Sequence, residues 1–221
     1  MTVLAVVGAG RGLGAAVARR FGQVGFDVAL LARSQERVDA LAGELGAEGI
    51  GARGFAADVR DRASLSAALD RAADTLGPVE VLQYSPIPQP EFLRPVLETT
   101  PEDLAAALEF SVHGPVTAVT RVLPGMRALG RGTVLLVNGG SAARPDPRVA
   151  GTSVAFAGES AYGQMLHDVL AGEGIHVGQL VVPGAITPGD ARTDPAVLAD
   201  TLWAMHTERD GFRRLARDLD A

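Results

Sequence analysis

"VLAVVGAGRGLGAAVARRF", Val3–Phe21, decides the fold. Val3–Val7 is a short aliphatic run that reads as a buried strand, and Leu13–Val24 continues as an Ala-rich amphipathic helix. Gly8, Gly10, Gly12 and Gly14 lie between or at the junction of the two, with Leu13 among them. Glycine permits a positive-φ turn and lets backbone N–H groups come close to an anion at a helix N-terminus. A strand, this turn and a helix in that order form a cradle for the pyrophosphate of a dinucleotide.

Outward from this unit the same alternation continues. Further strands are expected at Val28–Leu31, Gly51–Ala56, Val79–Gln83, Thr133–Val137 and His176–Val182. Most are almost continuously apolar, as parallel strands covered on both faces should be. Helices are expected at Gln35–Leu45, Ala63–Leu76, Pro101–Leu129 and Ala155–Ala171. Ser34 starts one of them, and Thr100 with Pro101 and Asp103 starts another. The pattern predicts an α/β fold: a single Rossmann-like, doubly wound parallel sheet with helices on both faces, one domain over residues 1–221. "YSPIPQPEFLRP", Tyr84–Pro95, reads as a loop at the carboxyl end of the fourth strand.

Composition narrows the function. The formal net charge is −6 with acids and bases interspersed, which argues against a nucleic-acid partner. No apolar run approaches the roughly 18 residues of a membrane span, and the glycine turn follows the N-terminus too closely for a signal peptide, so a cytoplasmic protein is expected. There is no cysteine, and all 20 basic residues other than histidine are arginine, so chemistry that needs a thiolate or a lysine is excluded. Nothing in the pattern calls for a metal. The second strand ends "ALLARS", placing Arg33 and Ser34 where an NAD-selective site usually holds an acid. A guanidinium binds a ribose 2′-phosphate through paired charged hydrogen bonds, and Arg11 in the glycine loop adds a second positive charge, so NADP(H) is favoured.

These residues resemble the short-chain dehydrogenase/reductase family over nearly the whole chain. Gly8-x-x-x-Gly12-x-Gly14 matches its cofactor loop, with Val7 where a Thr is usual, and "LLARSQERVDALAGEL" resembles its NADP-dependent members. The resemblance implies that Asp58 and Val59 of "ADVRD" sit by the adenine ring. It likewise implies cofactor contacts from Tyr84 and Ser85, and from Pro183, Gly184, Ile186 and Thr187 of "VVPGAIT". It also implies a homodimer or homotetramer and a small-molecule substrate.

The catalytic positions depart from that family. It uses an Asn, a Ser and a Tyr-x-x-x-Lys pair, in which the lysine lowers the tyrosine pKa. In "GTSVAFAGESAYGQML" the tyrosine aligns with Phe156 and the lysine with Ser160. The asparagine aligns with Ser111, and the serine with Gly139 or, after a short shift, Ser141. Tyr162 does not rescue the pair, because Leu166 follows at the lysine spacing. Replacement donors are Ser141, Tyr84 and, with the strand end shifted, Asn138. Glu159 and Ser160 are placed on the first turn of their helix, where the dipole would keep a carboxylate ionised. His113 points either at the site or away from it, Trp203 reads as packing, and "FRRLARDLD" as a solvated amphipathic end. The short "TPGDARTD" implies a reduced lid. An NADP(H)-dependent oxidoreductase on a small carbonyl or alcohol is the leading reading. A catalytically degenerate NADP(H)-binding sensor or partner protein and a non-redox cyclase or dehydratase using Glu159 are the alternatives.

Overall fold

The parallel sheet has seven strands, one more than the sequence suggests. In this computed structural model, which describes residues 2–219, the strands are β1 Thr2–Val7, β2 Phe26–Ala32, β3 Ala52–Ala56, β4 Val79–Tyr84, β5 Gly132–Gly139, β6 Ile175–Val182 and β7 Arg213–Leu215. Their order is β3-β2-β1-β4-β5-β6-β7, and every neighbouring pair is parallel. The chain winds outward from β1 to β3, then returns to lay β4 on the other side of β1. That reversal opens a crevice at the carboxyl ends of β1 and β4.

The helices are α1 Leu13–Gly22, α2 Gln35–Ala47, α3 Arg62–Leu76, α4 Pro101–Leu108, α5 Gly114–Leu129, α6 Ala150–Leu170 and α7 Pro195–Glu208. They bury the sheet on both sides: residues of α3 and α5 share one core with Ala5, Leu82 and Val134, and residues of α1, α2 and α7 share the other with Leu4, Val81 and Leu135. Alternate residues of β1, β2, β4, β5 and β6 thus feed opposite cores, which is why these strands are apolar at most positions, unlike the edge strands β3 and β7. Ser34 caps α2 by accepting from Arg37 N, and Thr100 and Asp103 form a reciprocal capping box on α4. Trp203 packs edge-on against Phe21, with ring centroids 5.0 Å apart, and so joins α7 to α1.

Three expectations need correction. The helix expected over Pro101–Leu129 is interrupted by a π-type turn at Glu109–His113. There Gly114 comes so close to the Tyr84 hydroxyl that any side chain would collide with it, and a local change of helix pitch makes the fit. Second, α6 starts at Ala150 rather than Ala155, because the polar segment before it is already helical. Third, the supposedly solvated end supplies β7: Arg213–Leu215 pairs with Gln179–Val181, and Ala216 N donates to Val181 O at 2.9 Å. Alternation of charge and leucine over so few residues does not distinguish an edge strand from a helix. Asp220, also covered by that expectation, lies outside the described residues.

Candidate functional site

The glycine turn is shaped by two close approaches. Gly8 has φ +92°, and a Cβ there would lie 2.6 Å from Cα and N of Pro86, in the loop after β4. A Cβ on Gly14 would lie 3.0 Å from Cα of Ala9, so α1 packs tightly on the turn, whereas Gly10 and Gly12 face open space. Gly8 N and Ala9 N both donate to Leu31 O, at 2.9 and 3.0 Å, which ties the turn to the end of β2. The first backbone bond into α1 is Ala15 N to Gly10 O at 2.8 Å. The amides just before Ala15 are those a helix N-terminus offers to an anion.

A cavity of about 1110 Å³ opens on this turn. Its wall brings together Gly8, Gly10, Arg11, Gly12, Leu13 and Gly14 with Ser85 after β4, Asn138 and Ser141 at the end of β5, and Pro183, Gly184 and Ile186 after β6. Residues 170 positions apart in sequence thus meet because parallel strands put all their carboxyl ends on one edge. Thr187 is not on this wall; its N donates to Thr193 O at 3.1 Å.

Arg33, Ser34, Asp58 and Val59 lie outside the wall, beyond the ends of β2 and β3. Arg33 is exposed and makes no ion pair or side-chain hydrogen bond among the described residues. Arg11 pairs with Glu44 at 2.6 Å, an exposed contact of the kind worth at most about 1 kcal/mol. The Ser34 hydroxyl accepts from Arg37 N at 3.3 Å, and Asp58 Oδ1 accepts from Arg60 N at 3.0 Å. Val59 packs against the core beneath them.

Phe156 is buried against Ala142 and Val181 and forms part of the cavity wall. Ser141, on a 3-10 turn at Gly140–Ala142, lines the same cavity and is partly exposed to it. Ser111 is buried within the π-type turn. His113 also belongs to that turn, and neither residue lines the cavity.

Two candidate donors are corrected. The Tyr84 side chain is buried in the core on the α3–α5 face, off the cavity wall, and its hydroxyl donates to Phe110 O at 2.6 Å. Burial, with smaller contributions from Glu159 and Asp58, pushes that phenol well above its usual range. The π-type turn frees Phe110 O, and Tyr84 satisfies it. Glu159 falls in the interior of α6, fully buried and off the wall, because the helix starts early. The dipole effect fades beyond the first turn, and desolvation raises this carboxyl to about 8 despite one hydrogen bond from Asn138.

Glu159 belongs to a buried polar chain. Asn138 Nδ2 donates to Glu159 Oε2 at 2.9 Å, and Gln179 Nε2 donates to Asn138 Oδ1 at 2.8 Å and to Ser160 Oγ at 2.6 Å. Arg213 Nε donates to Gln179 Oε1 at 2.9 Å. Ser160 is therefore tied into the sheet and turned from the cavity wall. Asn138 is the member that reaches the wall. Gln179 and Arg213 were not singled out from sequence, although a Gln within the apolar run "HVGQLVV" is a signal, since a buried amide needs partners.

The profile of the family described as short chain dehydrogenase matches residues 2–195. The chain belongs to the short-chain dehydrogenase family. Within it, the chain is 31% identical over 189 residues to 3-dehydrosphinganine reductase TSC10B of Arabidopsis thaliana, covering 83% of this chain. It spans 55% of that reductase and 16% of another curated relative. A short-chain dehydrogenase from Rhodopseudomonas palustris superposes with a TM-score of 0.85 at 25% identity, covering 98% of each chain. The same fold appears, with a TM-score of 0.86 at 20% identity over 97% of this chain and 95% of the other, in an NADPH-bound short-chain oxidoreductase of Pseudomonas aeruginosa PAO1 described as containing an atypical catalytic center. Among the described residues no helix is long and apolar enough to cross a membrane.

Proposed function

We propose that this short-chain dehydrogenase is an NADP(H)-dependent oxidoreductase for a small carbonyl or alcohol, in which Ser141 replaces the usual phenol as the donor to the substrate oxygen. The observation that carries the reading is the one cavity shared by the glycine turn, the Pro183–Gly184–Ile186 loop and Ser141. The cradle suits the cofactor: Gly8 and Gly14 leave no room for a side chain, and the open faces of Gly10 and Gly12 suit a phosphate. When bound, the cofactor supplies or accepts the hydride. Arg33 and Arg11 hold the 2′-phosphate, Ser34 lies beside it, and Asp58 and Val59 flank the adenine. Ser141 holds the substrate oxygen and passes it a proton that solvent restores. Asn138, its amide fixed at both ends by Glu159 and Gln179, is a second polar group on that wall.

The test is NADPH oxidation across a panel of aldehydes, ketones and enones by the wild type and by Ser141→Ala. The variant is expected to lose about 10²-fold in kcat, the usual effect of removing one oxyanion donor, at unchanged NADPH affinity. An equal rate in both proteins overturns the role of Ser141.

A second reading, a non-catalytic NADP(H)-binding sensor or partner protein, is favoured by one specific feature. Phe156 puts an apolar ring on the cavity wall, and Ser160 is engaged by Gln179 rather than facing the cavity. NADPH binding without turnover of any panel member selects that reading. The dehydratase reading gets no support, since Glu159 is off the wall. A homodimer or homotetramer belongs to the same proposal. Val154, Met165 and Val169 form an exposed apolar stripe on α6, and light scattering measures the assembly.

A further inference from the structure

The segment that follows α7 contributes directly to the cavity. Beyond β7, Arg217 Nε donates to Pro183 O at 2.8 Å. Its Nη2 lies over Gly184, in the space that a Cβ on that residue would occupy. Leu219 then reaches the cavity wall, and its Cδ2 is 3.9 Å from the position of a Cβ on Gly140. Arg213, bound to Gln179, and Ala216, bound to Val181, hold the segment on β6, the strand whose end carries Pro183 and Gly184.

Gly184 has φ +79° and is exposed, so the loop beyond the buried Pro183 has little of its own to define it. An ordered loop that contacts a ligand needs its conformation restrained in advance, or binding must bear the cost of ordering it. Arg217 provides that restraint from outside the loop. Its guanidinium engages the carbonyl on one side of the Pro183–Gly184 peptide and covers the glycine on the other.

We propose that Arg217 is a positioning residue for the nicotinamide half of the cofactor, acting through the Pro183–Gly184 loop. The inference rests on the NADP(H) reading above. It requires that Arg217 affect the half of the cofactor near β6 and leave the adenosine half, near β2 and β3, untouched.

The experiment compares two probes on the full chain: NADPH, and adenosine 2′,5′-bisphosphate, which carries only the adenosine half. Arg217→Ala is expected to weaken NADPH binding by about tenfold through lost preorganisation, with adenosine 2′,5′-bisphosphate affinity changed by less than about twofold. Arg217→Lys, which keeps a donor for Pro183 O, is expected to restore most of the NADPH affinity. Unchanged NADPH affinity in Arg217→Ala overturns the inference. So does equal weakening of both probes with a lowered thermal midpoint, since that marks a general structural role. Wild-type protein that binds neither probe overturns the cofactor reading and this inference with it. Wild-type protein that binds both, with no difference between them in the variant, overturns the inference alone.

Discussion

The Asn138 amide donates to the Glu159 carboxyl at 2.9 Å, and the other Glu159 oxygen has no hydrogen-bond partner among the described residues. One amide does not replace the water that a carboxylate loses on full burial. The group therefore titrates near 8 in the folded chain against 4.5 when free.

The sign of the pH dependence follows. Between those values the folded chain keeps a proton that the unfolded chain has released, so stability falls as pH rises through that window and levels off above it. At pH 7 the loss is on the order of 3 kcal/mol. Glu159→Gln keeps an oxygen for Asn138 and removes the titration. Thermal midpoints of variant and wild type should agree near pH 4.5 and diverge toward pH 8, with the variant higher. Parallel curves would rule this account out.

Arg33 is exposed, and without an ion pair among the described residues it is available to a phosphate. Arg33→Glu replaces that attraction with repulsion, so NADPH affinity is expected to fall by about 10²-fold while NADH affinity changes by less than about threefold. Titration with both cofactors at one fixed ionic strength decides the matter, since the contrast is electrostatic.

Gly8 and Gly10 make a matched pair for a third test. Gly8→Ala meets both a positive φ and the Pro86 backbone at 2.6 Å, and is expected to cost about 2–4 kcal/mol and to abolish NADPH binding. Gly10→Ala meets no atom of the described residues within 4 Å and should cost less than about 1 kcal/mol. Urea unfolding of both variants is the measurement. Similar losses in the two would show that the Pro86 contact does not matter.

Phe156 and Ser160 test the chemistry by restoration. Phe156→Tyr alone places a phenol on the cavity wall without the lysine four residues on that would lower its pKa, and carbonyl reduction should change by less than about threefold. Adding Ser160→Lys should raise the rate by about 10²-fold. The lysine displaces the hydrogen bond from Gln179 and enters a buried site, so stability should drop by about 2–4 kcal/mol. A double variant that folds and is no faster than Phe156→Tyr rejects the proposed alignment of these two positions with the family's tyrosine and lysine.

The parallel sheet and the cradle were legible because they depend on local signals: aliphatic runs, helix caps and glycines at fixed offsets. Arg11, Ser141, Pro183 and Gly184 could be assigned to one region because strand ends converge by topology. Orientation was the illegible part. Tyr84 sits at the expected strand end, but an odd-or-even position on β4 decides which face its ring takes, and the π-type turn that receives its hydroxyl has no composition of its own. Glu159 was misread because α6 begins in a segment rich in proline, arginine and glycine that lacks a side-chain cap. Gln179, Arg213 and Arg217 act through long-range partners, which no local pattern reveals.

The bond from Tyr84 to Phe110 O also bears on how the molecule opens. A π-type turn on its own would be a weak point, exchanging its amide hydrogens through local fraying. Anchored by a buried hydroxyl from a central strand, Glu109–His113 instead shares its opening with β4. Ser111, held in that turn, is therefore expected to exchange with β4 rather than by local fraying, which hydrogen-exchange mass spectrometry measures.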